Sequence, residues 1–96
     1  MTSDLETIYN SHERAVFQAL KDATQRYPHL KDMGDLIPDM ACVALNRLPP
    51  RYIRHEADFS FYLTDKERAA SEKAITDAVN FAIEFVQARV AMRARH

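Results

Sequence analysis

The sequence predicts an α+β fold that is mainly helical, in the order helix, short helix, strand or hairpin, long helix, paired into a homodimer. Three observations predict it. Apolar residues recur at helical spacing in a long first and a long last segment, and each segment opens on a capping box. Pro49 and Pro50 stop a short apolar helix in the middle of the chain. Directly after them the apolar period changes to two, the pattern of a strand with one buried and one wet face.

The first helix is expected over about Ser3 to Tyr27. Leu5, Ile8, Tyr9, His12, Val16, Ala19, Leu20, Ala23 and Tyr27 form one stripe at helical spacing. Ser3 with Glu6 three residues on is the capping box, Asp4 and Glu6 suit the helix dipole, and Pro28 ends the element. Phe17 lies off the stripe and is expected to be partly covered by a neighbour. From His29 to Leu36 the periodicity lapses around Gly34, the chain's single glycine, and a loop is expected.

The second helix is expected to start at Pro38, a favoured first-turn residue, and to end no later than Leu48, because a residue before proline is pushed out of the α region. Ile37, Met40, Ala41, Ala44, Leu45 and Leu48 face the core. Cys42 reads as a small core residue. Beyond the prolines, Ile53, His55, Ala57, Phe59, Phe61 and Leu63 alternate with Tyr52, Arg54, Glu56, Asp58, Ser60 and Tyr62. That is strand alternation, with His55-Glu56-Ala57-Asp58 as the place for a hairpin turn. A lone strand or hairpin is marginal in water and needs a partner.

The last helix opens on Thr64-Asp65-Lys66-Glu67, the second capping box, and continues to about Arg93. Ile75, Val79, Ala82, Ile83, Val86 and Val90 form one apolar stripe. Ala74, Ala78, Phe81, Phe85, Ala88 and Met92 form another. Two stripes cover more than one neighbour needs, so the surplus predicts burial against a second subunit. Arg89, Arg93 and Arg95 read as ordinary charge near a helix C-terminus.

Ninety-six residues make one domain, residues 1–96, with a modest core. A formal net charge of −1 creates no global field toward nucleic acid or an anionic membrane. A single cysteine excludes an intrachain disulfide and fits a reducing compartment. No apolar run is long enough to span a bilayer, and the first residues do not form a signal peptide, so a cytoplasmic protein without a membrane partner is expected.

The residues suited to chemistry gather at the proline corner. Asn46 and Arg47 close the second helix, and Arg51, Tyr52 and Arg54 follow Pro49-Pro50. Arginine offers phosphate a bidentate fork and stacks on base planes, and tyrosine offers a stacking face and a hydroxyl. A stiff backbone lowers the ordering cost of binding. Catalysis has no support: there is no Gly-rich phosphate loop, no C-x-x-C, no H-E-x-x-H and no nucleophile elbow. His12 and His55 read as core histidines and His96 as tail. His29, Asp32 and Asp35 lack a recognised metal-ligand spacing, and a solvated loop is the reading there.

The stretch Asp39 to Ile53, DMACVALNRLPPRYI, resembles the signature of the late-competence ComFB family, roughly D-I-x-A-L-A-L-N-x-L-P-P-x-Y-V. Asp39, Met40, Ala44, Leu45, Asn46, Leu48, Pro49, Pro50, Tyr52 and Ile53 fall on matching or similar positions. The resemblance implies a small bacterial protein, dimeric, and a non-enzymatic receptor for a cyclic dinucleotide, with cyclic di-GMP favoured over cyclic di-AMP. The corner residues Asn46, Arg47, Arg51, Tyr52 and Arg54 are chemically suited to such a ligand; no cofactor is expected, and a downstream protein partner is expected but not identified. Some members carry a C-x-x-C just before the signature and bind zinc through it. This chain has no cysteine before Cys42, so that site is absent. The alternative is a protein-interaction module of a competence or motility pathway with no small ligand. Nucleic-acid binding ranks third, because near-neutral charge opposes a large phosphate footprint.

Overall fold

The computed structural model describes residues 4–94. A 3₁₀ turn over Asp4–Thr7 leads into strand β1 (Tyr9–Asn10) and helix α1 (His12–Arg26). Further 3₁₀ turns over Pro28–Leu36 run into α2 (Ile37–Arg47), then β2 (Tyr52–Ile53), the short α3 (Glu56–Tyr62) and the long α4 (Asp65–Ala94). The protein is thus mainly helical with one small antiparallel strand pair, the class that the sequence predicts.

Three helices enclose the core. α2 packs on both α1 and α4, and α1 on α4. Val16, Leu20 and Ala23 of α1 meet Met40, Ala41 and Ala44 of α2 and Ala78, Val79, Ala82, Ile83 and Val86 of α4. Leu30 closes the core from the 3₁₀ segment. The first α4 stripe lies on this core, whereas in the second Phe81 and Phe85 keep 37% and 39% of their surface exposed and Met92 keeps 61%. The α4 capping box is present: Thr64 Oγ1 accepts the Glu67 N–H at 3.0 Å, and Glu67 Oε2 accepts the Thr64 N–H at 3.4 Å.

α2 ends where Pro49 requires. Leu48 has φ −97° and ψ 132°, extended backbone, and its side chain is buried. Pro38 sits in the first turn of α2, as expected. The segment expected to be a loop, His29 to Leu36, is instead coiled into 3₁₀ turns with a kink at Met33 (φ −108°, ψ 29°). Burial of Leu30 supplies the reason, because an anchored side chain keeps a short connection close to the core.

The first helix differs from expectation at its start. Helix α1 begins at His12: Tyr9–Asn10 is strand, with Tyr9 paired to Ile53 and Asn10 to Tyr52, and Ser11 already turns into the helix. Asn10 competes with helical hydrogen bonding through its side chain: its Oδ1 takes the His12 N–H at 3.1 Å. Leu5 and Ile8 are therefore exposed, while His12, Val16, Leu20 and Ala23 carry the stripe. Ser3, Arg95 and His96 lie outside the described residues.

The second correction concerns residues 53–63. Only Tyr52–Ile53 is strand, and it does have a partner, β1. Phe59 N–H bonds the His55 carbonyl at 3.1 Å, and Glu56–Tyr62 is helix, not a strand or hairpin. A two-residue β1 cannot pair an eleven-residue strand, and Glu56 favours the positive end of a helix dipole. His55 and Phe61, expected to face inward, are exposed. Cys42, expected in the core, is exposed as well.

α3 has no packing on the core comparable to that among α1, α2 and α4. Its tethers are an ion pair from Arg14 to Glu56 at 2.9 Å and the Arg51 guanidinium 5.3 Å above the Phe59 ring. The first turns of α4 also stand clear, and burial begins only toward Ala78. The radius of gyration is accordingly 15.7 Å, against roughly 12–13 Å for a compact chain of this length.

Candidate functional site

The proline corner is fastened to the start of α1. Asn10 Oδ1 accepts the Arg51 N–H at 3.1 Å, and the Ser11 N–H donates to the Arg51 carbonyl at 2.7 Å. The peptide groups of Arg51 are thus held on both sides by one short segment. Next to this segment His12 is buried at the first position of α1, its Nδ1 without a hydrogen-bond partner. Burial, and after it the nearby Arg51 guanidinium, holds the His12 pKa below the ordinary imidazole value; a hydrogen bond to the Pro49 backbone acts in the opposite direction. A neutral imidazole under the corner is the result.

The five residues singled out by sequence do not converge on one pocket. Arg47 lies along α4 with its guanidinium 3.7 Å from the Phe81 ring centroid. Arg51 turns the other way, over Phe59. Arg54 Nε donates to Thr7 Oγ1 at 3.0 Å. Tyr52 is 67% exposed and Asn46 is exposed at the end of α2. The structure brings Arg51, Tyr52 and Arg54 together in and directly beside the two-residue strand β2. Arg47 belongs to a second line of side chains.

That second line was not singled out by sequence reasoning. Phe81 and Phe85 stack at 5.6 Å with an interplanar angle of 22°, and Arg89 lies 5.7 Å from the Phe85 centroid. Arg47, Phe81, Phe85 and Arg89 therefore form a ladder along the edge between α2 and α4. The i, i+4 repeat of Phe81, Phe85 and Arg89 was the available signal. Beside it is an open groove of about 330 Å³ floored by Leu36, Val43, Val86 and Val90, with Asp39, Cys42, Arg89 and Arg93 around it. None of the five corner residues lines this groove.

His29, Asp32 and Asp35 are exposed, and no cluster of three or more metal-ligating residues occurs among the described residues. No helix among them is long and apolar enough to cross a membrane.

A small, mainly helical protein whose Pro-Pro corner displays arginine and tyrosine from a pinned strand is the class defined by this fold and site. The chain belongs to the ComFB family: the family model described as late competence development protein ComFB matches residues 9–90. The match spans β1 through most of α4 and so includes the corner and both partners of the strand pair. No curated protein and no solved structure matches the chain.

Proposed function

We propose that this protein is a non-enzymatic receptor for a cyclic dinucleotide and acts as a homodimer. The observation that carries the reading is the clamped Arg51 peptide, held by Asn10 and Ser11 while Tyr52 beside it stands open to solvent. Family membership supports it through the resemblance drawn from the signature. The arginines are already resting on neighbours, but weakly. An exposed cation–π contact is worth about 0.5–1 kcal/mol, and a hydrogen bond to a charged group about 1.5–3 kcal/mol. Phosphate therefore outcompetes Phe59 for Arg51.

The dimer surface in this reading is α3 with the first turns of α4. Phe61 is 90% exposed and Tyr62 is 83% exposed, on elements that stand away from the core. A two-fold contact there puts both copies of Arg51 near the axis, because Arg51 leans on Phe59 of α3. A cyclic dinucleotide of two identical nucleotides has the same symmetry, so both phosphates meet equivalent arginines.

Calorimetry with cyclic di-GMP, cyclic di-AMP and their linear products tests the reading. Arg51→Ala weakens binding on the order of tenfold to a hundredfold, Arg51→Lys recovers part of it because ammonium lacks the planar fork, and the distant Lys31→Ala changes little. A parent protein that binds neither cyclic dinucleotide rejects the receptor reading. Parent-like binding by Arg51→Ala, Tyr52→Ala and Arg54→Ala moves the site elsewhere. The exposed pair Phe61 and Tyr62 favours, as the second reading, an interaction module of a competence or motility pathway without a small ligand.

A further inference from the structure

The arginine ladder and its groove have no role at the corner. α2 and α4 run antiparallel: Arg47 at the end of α2 covers Phe81, and Leu36 at its start shares the groove with Arg93. A second hollow of about 350 Å³, formed by Phe85, Arg89, Met92 and Arg93, lies on the outer side of the same arginines. Arg89 and Arg93 are therefore a cationic ridge between two apolar depressions. Among the described residues, Arg47, Arg89 and Arg93 make no ion pair, and Asp39 is the lone acid lining either hollow.

We infer that this face binds an acidic amphipathic helix of a different protein. Three guanidinium groups without an ion pair, spread over about three turns of α4, call for carboxylates, and the apolar floor calls for large aliphatic or aromatic side chains one turn apart. The groove is at the small end of the ~300–1,000 Å³ typical of enclosed ligand sites and is open along one side, which suits side chains of a docked helix. A second copy is the wrong occupant. Two-fold pairing through this face would lay one arginine-bearing strip on another, with Asp39 the one lining acid on each copy to offset them. The inference does not depend on what binds at the corner.

The probe is a fluorescein-labelled helical peptide with leucines at i and i+4 and glutamates flanking them, compared with the same peptide carrying lysines for glutamates. Fluorescence anisotropy is read without any nucleotide. The acidic peptide binds and the lysine peptide does not. Arg89→Glu with Arg93→Glu reverses that preference, while Arg51→Ala leaves it unchanged and so separates this surface from the corner. Amide shifts on titration map to Val43, Val86 and Val90. The inference is overturned if the acidic peptide fails to bind, if the charge-reversed variant keeps the parent's preference, or if Val43→Arg abolishes self-association in light scattering, which would make the face a contact between copies.

Discussion

Asn10 and Arg51 are joined side chain to main chain: Asn10 Oδ1 accepts the Arg51 N–H at 3.1 Å, and the same oxygen accepts the His12 N–H at 3.1 Å. One amide therefore starts α1 and positions the corner. Replacing Asn10 by alanine leaves two partly buried donors without their acceptor, which costs about 1–3 kcal/mol. Urea denaturation of Asn10→Ala is expected to show that loss, and Asn10→Asp to retain most of the stability because it keeps the oxygen. Equal stability of Asn10→Ala and the parent would mean that the β1–β2 pairing alone holds the corner.

His12 gives the fold a pH dependence of known sign. Its folded pKa is depressed, mainly by burial and then by Arg51. Above the unfolded value, near 6.5, both states are neutral and the contribution is complete. As pH falls below it, the unfolded chain takes up a proton that the folded chain resists, and stability declines until the lower folded pKa is passed. The thermal midpoint is expected to drop between pH 7.5 and 5.5, and His12→Gln to flatten that drop. An identical slope in the variant would remove His12 as its source.

The parts of this fold that were legible in the sequence are those fixed by local chemistry. Pro49 ends α2 through a steric clash, and Thr64 with Glu67 opens α4 through reciprocal hydrogen bonds. Both depend on a few neighbouring residues. The misread segments depend on distant ones. Leu5 to His12 keeps helical spacing, but Ile53 and Tyr52 draw Tyr9 and Asn10 into a strand pair. Ile53 to Leu63 alternates, yet an alternating run without a long partner strand folds into the helix that its acidic first turn permits. The site followed the same rule. Arg51, Tyr52 and Arg54 lie together at β2 because they are close in sequence, whereas Arg47 and Phe81 meet only through the packing of α2 on α4.

Met40 and Cys42 separate core from surface on one helix. Met40 is fully buried between α1 and α4, and Cys42 is exposed at the groove. Met40→Ala is expected to cost about 2–5 kcal/mol, the transfer loss plus an unfilled cavity. Cys42→Ser is expected to stay within about 0.5 kcal/mol of the parent. Chemical denaturation of both variants checks the contrast. A large loss from Cys42→Ser would return this residue to the core.

Phe61 and Tyr62 test the proposed dimer. They contribute little to the monomer, being almost fully exposed on a short helix that stands away from the core. In the dimer they are the surface removed from water. Burying a side chain of phenylalanine size stabilises by about 1.5–3 kcal/mol, and two-fold symmetry counts each residue twice. Phe61→Ser is therefore expected to remove about 3–6 kcal/mol of association free energy, or roughly two to four powers of ten in the dimer dissociation constant. Sedimentation equilibrium across a concentration series measures that constant directly. The helical signal is expected to persist, because the core of α1, α2 and α4 is untouched. Tyr62→Ser should act in the same direction, and Ala88→Ser, on a part of α4 away from α3, should not. A Phe61→Ser protein that dimerises like the parent would place the subunit contact elsewhere. A parent that is monomeric at micromolar concentration would leave the α3 aromatics without a second copy to cover them, and the interaction-module reading would then account for them.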